Sequence, residues 1–272
     1  MPMYVVTPGQ QKGGVGKTTV TANLAVIAGE TGLRTLAVDL DPQSHLTFSF
    51  GQETPPQGFS VGELLNDSVS PKPSFREVVL RSVAPSVDLL PGDERALVRA
   101  EHDIALDALT GMTRLRKLLD SVKDDYDICF IDTPPKVEGL AVVAMVASDG
   151  IIIITEPQTL AYTSTTVYAA KVAQVRNSLN PNLKTLGVLL NKSGDGEEAR
   201  FILDKLRETG LHIFKTAIPV NRYASKASLG GVPTALIDRN RDIGRIYRAV
   251  GDELADLLRG ITDEADLEVA SR

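Results

Sequence analysis

Two lysines bracket a glycine run in "KGGVGKTT", residues 12–19. Gly13, Gly14 and Gly16 can take backbone angles that turn successive N–H groups toward one point, and Val15 belongs to the same cradle. A helix opening at Lys17 would add the positive end of its dipole, and the result is a phosphate nest. Lys17 is placed for the β- and γ-phosphates, Thr18 for Mg²⁺ and Thr19 for a further phosphate contact. The general pattern G-x-x-x-x-G-K-[ST] fails at its first position, Gln11, whereas K-G-G-x-G-K-[ST] matches throughout. That leaves Lys12 as an extra cation, either a solvated loop lysine or a second charge for the phosphates.

Carboxylates supply the other half of such chemistry. "AVDLDPQ" carries Asp39 and Asp41 at a spacing that, on a strand, turns both the same way, and "CFIDTPP" ends an apolar run on Asp132. In a nucleotide site one acid supports Mg²⁺, in part through water, and another orients the attacking water. Asp132 fits the first task and Asp41 the second, although Asp41 before Pro42 would also serve as a turn or helix cap.

Parallel strands would position these groups. Buried-strand runs lie at 3–7, 34–39, 87–92, 126–132, 150–155 and 184–191, with helical patterns at 17–30, 101–122, 161–179, 195–209 and 240–259. This alternation predicts an α/β fold, a doubly wound and mostly parallel sheet flanked by helices, with ligands at the carboxyl ends of the strands. Residues 51–75 read as a surface excursion with a short helix near 61–66. Residues 1–260 read as one domain and 261–272 as an acidic, frayed tail. Of 272 residues 43% are hydrophobic, ample for a core. The one cysteine, Cys129, sits in a strand run, which excludes disulfides and a cysteine-held cluster. No segment reads as a signal peptide or bilayer span, so a cytoplasmic protein is expected. The net charge of −6 requires any nucleic-acid contact to come from a local basic patch.

"QKGGVGKTT", "VDLDPQ" and "IDTPP", in this order and spacing, resemble the ParA/MinD family of deviant Walker ATPases. "VDLLPG", "GVLLNK" and "TAIPVNRYASKASLGGVP" resemble later landmarks of its ParA/Soj branch, so the likeness covers roughly residues 3–259. It implies ATP and Mg²⁺ as cofactors, a P-loop ATPase domain and an ATP-held sandwich homodimer. Lys12 takes the place of the signature lysine that reaches the partner's ATP, Asp41 that of the hydrolytic acid, Asp39 a neighbouring switch acid and Asp132 the Walker B acid. Asn191 and Pro219 fall where the family holds adenine, though Asn191 could instead cap its loop. "DPQSH" stands where relatives have "DPQGN", which puts Ser44 and His45 into the switch segment.

Three outputs compete. A membrane switch needs a basic amphipathic C-terminus, but the tail carries Asp263, Glu264, Asp266 and Glu268 against Arg272. A metabolic or metal-handling relative would use ATP to drive transfer or electron flow, and its electron-transfer version needs paired cysteines. DNA partition or cargo positioning needs a basic surface, and the candidates are Arg222 and Lys226, then Arg239, Arg241, Arg245 and Arg248, the last three sharing a helix face. In relatives such residues bind DNA without sequence preference, and a ParB-like protein stimulates hydrolysis. The same likeness implies nucleoid association in the ATP state. With the loop this near the start of the sequence, no helix-turn-helix domain of the kind larger partition ATPases carry is expected before it.

Overall fold

The computed structural model describes residues 3–107, 109–194, 196–221, 230–237 and 242–270, with side chains as far as 261. Seven strands form one sheet: β1 (Tyr4–Gly9), β2 (Thr35–Asp39), β3 (Leu80–Ala84), β4 (Val87–Leu90), β5 (Ile128–Asp132), β6 (Gly150–Thr155) and β7 (Lys184–Leu190). Their order is β3-β4-β2-β5-β1-β6-β7, parallel throughout except for the antiparallel β3–β4 pair at one edge. Chain direction across the sheet reverses around β1, which puts the loop after β1 at the crevice where α/β sheets bind ligands.

Among the described residues the helices are α1 (Lys17–Glu30), α2 (His45–Ser49), α3 (Val61–Leu65), α4 (Phe75–Val78), α5 (Glu94–Leu106), α6 (Arg114–Asp120), α7 (Leu140–Ala147), α8 (Ala161–Ser178), α9 (Glu197–Arg207), α10 (Thr234–Ile237) and α11 (Asp242–Ala270). Alternation along each strand sends side chains to two faces. Val6, Ala37, Phe130 and Ile152 pack in the cluster that takes in α1, α10 and α11. Val5, Leu36, Val38, Cys129 and Ile131 face α3, α5, α6 and α7, while Ile151 and Ile153 face α8 and α9. With both faces covered, the strands can be apolar at every position, which is why they read as unbroken runs. Cys129 is a buried thiol in this core, its pKa raised by burial.

Three elements differ from the sequence reading. The edge strand β3 was not expected; its exposed Arg81 and Ser82, the latter at φ 54°, break the apolar pattern. The single helix expected over 101–122 is two, α5 from Glu94 and α6 from Arg114, joined by a 3₁₀ turn at Gly111–Thr113. Asp107 ends the first by accepting from the N–H groups of Leu109 and Thr110 and from the Thr110 hydroxyl. At the C-terminus α11 continues to Ala270, past the boundary drawn at 260. Ala, Glu and Leu in that stretch favour helix.

Candidate nucleotide site

The strand β1 delivers the chain to residues 10–16, which curl over the start of α1. Gly14 and Gly16 have φ of 77° and 92°, where a side chain would be strained. At Gly16 a Cβ would also lie 2.2 Å from Asn191 Nδ2. Gly16 is the N-cap of α1, no side chain caps that end, and the first turn holds no acidic residue. The first free N–H groups of α1 are thus left for an outside anion. Val15 is buried and anchors the loop in the core, and its carbonyl accepts from Asn191 Nδ2 at 2.7 Å.

Gly13, Gly14, Gly16, Thr18, Thr19 and Asp41 line a cavity of about 420 Å³ together with Lys17 and His45. Lys17 is buried, and desolvation lowers its pKa against the opposing pull of Asp132 and Asp41. Thr18 Oγ1 donates to Asp132 Oδ2 at 2.6 Å. Asp132 is fully buried at the end of β5, and its Oδ1 has no hydrogen-bond partner. Burial raises its pKa, with the charge of Asp39 adding to the shift and the Thr18 bond opposing it. A buried carboxylate with a free oxygen beside a threonine hydroxyl fits a Mg²⁺ site, with Thr18 as ligand and Asp132 acting through water.

Asp39 and Asp41 part company, contrary to the expectation that both face one way. The strand ends at Asp39, so the alternation that would align them stops there. Asp41 lines the same cavity as Lys17 and accepts from the Gln43 N–H at 3.0 Å. Asp39 is wholly buried, and its Oδ2 accepts from both the N–H and the hydroxyl of Thr47, each at 2.7 Å. Its Oδ1 takes the Asp41 N–H at 3.3 Å. Asp39 therefore ties the segment 41–47 to the end of β2. Burial raises its pKa and the Thr47 bonds hold it down. Thr47 was missed by sequence reasoning, because a threonine eight residues beyond an aspartate gives no local signal.

A second cavity, of about 360 Å³, opens on the other side of Gly14, Gly16 and Thr19. It is lined by Asn191, Pro219 and Tyr247, with Lys192, Ile218 and Ile243. Both residues expected for adenine are there. Asn191 has an additional task, since its N–H₂ is committed to the loop carbonyl of Val15. Lys192, missed from sequence, donates to Gly14 O at 2.6 Å.

Lys12 is exposed, and its ammonium bonds Gln158 Oε1 at 2.7 Å. It is not among the residues lining the cavity that holds Lys17. Of the basic candidates, Arg222, Lys226, Arg239 and Arg241 lie outside the described residues. Arg245 is exposed on α11, and Arg248 is half-buried and paired with Glu30 of α1 at 2.7 Å.

A family model described as an AAA domain matches residues 3–185. The chain is 33% identical to the chromosome-partitioning ATPase Soj of Thermus thermophilus over 249 residues, 90% of this chain and 92% of the relative. It is 30% identical to the sporulation initiation inhibitor protein Soj of Bacillus subtilis over 254 residues, 90% and 95% of the two chains. The chain belongs to the ParA/MinD family of ATPases. The family's fold carries more than one job. A solved cobyrinic acid a,c-diamide synthase from Mycobacterium smegmatis with bound ADP and magnesium is 29% identical, with a TM-score of 0.73 over 87% of this chain and 95% of that one. Among the described residues, no helix is long and apolar enough to cross a membrane.

Proposed function

We propose that this ParA/MinD-family ATPase is a partition or positioning switch whose ATP form is a DNA-binding dimer. It takes ATP with Mg²⁺ and hydrolyses the γ-phosphate bond. The observation that carries the reading is the division of labour between two loop lysines: Lys17 is buried in its own phosphate cavity, while Lys12 stands exposed outside it.

The α1 N-terminus and the N–H groups of Gly13, Gly14, Val15 and Gly16 bind the phosphates, with Lys17 supplying charge and Thr19 a further hydroxyl. Thr18 would hold the Mg²⁺, with Asp132 supporting it through water, and the ion would supply positive charge for the phosphates. Asp41 orients the attacking water. Asp39 keeps Asp41 in place through the Thr47 latch. Lys12 of one subunit adds a cation at the phosphates of the other, where negative charge develops during transfer. ATP then holds two subunits face to face, and hydrolysis releases them. Asn191 and Pro219 border the base.

In the dimer, Arg222, Lys226, Arg241 and Arg245 supply a basic surface for duplex DNA, with Arg248 less available because Glu30 neutralises it. Contacts to phosphates make that binding independent of sequence and steeply salt-dependent. The protein acts in the cytoplasm and associates with the nucleoid in its ATP state, and a ParB-like protein stimulates hydrolysis. Duplex DNA binding measured with ATP, with ADP and without nucleotide, at low and high salt, tests the output. Salt-sensitive binding confined to ATP is expected. A confirmed ATP dimer without DNA affinity would remove the DNA claim and move the output to a protein or membrane partner.

A further inference from the structure

Lys12 is tied into a chain of polar contacts that joins three loops. Its ammonium donates to Gln158 Oε1 at 2.7 Å. Gln158 Nε2 donates to Glu156 Oε2 at 2.7 Å, and Glu156 Oε1 pairs with Lys192 Nζ at 2.6 Å. Lys192 in turn donates to the carbonyl of Gly14, two residues from Lys12. The loops after β1, β6 and β7 are thereby linked into a ring.

The chemistry at Gln158 is directional. An ammonium only donates and a carboxylate only accepts, so an amide between them must turn its oxygen to Lys12 and its nitrogen to Glu156. Gln158 is therefore an adapter that lets a buried carboxylate hold a lysine beyond its own reach. Glu156 is 8% exposed, and each of its oxygens has one partner in this ring. At the far end, Lys192 lines the same cavity as Asn191, Pro219 and Tyr247.

We propose that Gln158 is a positioning residue that holds Lys12 against its own subunit until ATP is bound, with Glu156 and Lys192 tying that hold to the base cavity. The dock competes with the crossing of Lys12 to a partner subunit, and this consequence rests on the reading given under Proposed function. A base entering the cavity meets Lys192 at one end of the ring, and the lysine needed for dimerisation is at the other.

The test separates the dock from the dimer. In the full-length, nucleotide-free protein, the rate at which acetic anhydride acylates Lys12 is followed by peptide mass spectrometry, with exposed Lys184 as the internal reference. Gln158→Met removes both amide bonds while keeping length, and should raise the Lys12 rate about two- to tenfold, the effect of losing one charge-assisted bond at an exposed site. Glu156→Gln should act in the same direction through loss of the anchor. Unchanged Lys12 rates in both variants overturn the dock. Then, with Asp41→Ala to hold ATP, sedimentation should give a tighter ATP-dependent dimer for Gln158→Met by a similar factor, with ADP affinity unmoved. A weaker dimer would make Gln158 part of the dimer contact and overturn the proposal, because a damaged interface and a released lysine change association in opposite directions. A raised Lys12 rate in a protein that never dimerises with ATP would support the dock and refute the dimer reading instead.

Discussion

Replacing Thr47 by valine isolates the latch that holds the hydrolytic segment. The Thr47 hydroxyl donates to Asp39 at 2.7 Å and accepts from the Gly92 N–H at 3.0 Å, all three groups being buried. Losing a bond to a carboxylate costs about 1.5–3 kcal/mol, and leaving the Gly92 N–H unpaired costs about 1–3 kcal/mol more. Valine's extra buried methyl returns roughly 1 kcal/mol. The net loss is about 1.5–5 kcal/mol, which lowers the Tm by roughly 3–20 °C for a chain of this size. The loss should also depend on pH. Burial raises the pKa of Asp39 in the folded protein, and the Thr47 bonds pull against that rise. Removing the hydroxyl raises it further, so the variant pays its full cost only where Asp39 is ionised. The stability gap should therefore be widest in mildly alkaline buffer and shrink as pH falls through the folded-state pKa of Asp39. Urea unfolding of both proteins without nucleotide, at mildly acidic and mildly alkaline pH, measures it. A gap below about 0.5 kcal/mol, or one that ignores pH, would refute the reasoning.

Other outcomes follow from the same geometry. Ser44, buried at φ 54°, should gain about 0.5–1 kcal/mol on Ser44→Gly, read as a higher unfolding midpoint. Asn191→Ala strips the donor from the Val15 carbonyl, and should cost about 1–3 kcal/mol even without nucleotide as well as weakening ATP binding by calorimetry. Lys17→Ala should abolish nucleotide binding with little change in the fold, which circular dichroism and calorimetry together would check.

Much of this site was legible because its chemistry is local. Gly13 to Thr19 form one unbroken stretch whose spacing fixes the nest, and Asp41 and Asp132 each sit at the end of a recognisable apolar run. Six of the seven strands were legible for the related reason that a sheet covered on both faces demands uninterrupted apolar residues. The edge strand β3 escaped because an exposed edge makes no such demand, and Arg81 and Ser82 occupy it freely. What could not be read was contact between distant loops. Thr47 on Asp39, Gln158 on Lys12 and Lys192 on Gly14 are set by how the strands are ordered, not by any spacing along the chain. The shared facing of Asp39 and Asp41 was misread for a simpler cause, since strand alternation was extended past the residue where the strand stops.

In the proposed dimer, one subunit's site is completed by the other's Lys12. Sedimentation of Asp41→Ala with Mg²⁺ and ATP, beside the same protein carrying Lys12→Ala, tests it most directly. A dimer is expected for the first with ATP and not with ADP, and a monomer for the double variant even though ATP is still bound. A double variant that dimerises as readily as Asp41→Ala alone would contradict it.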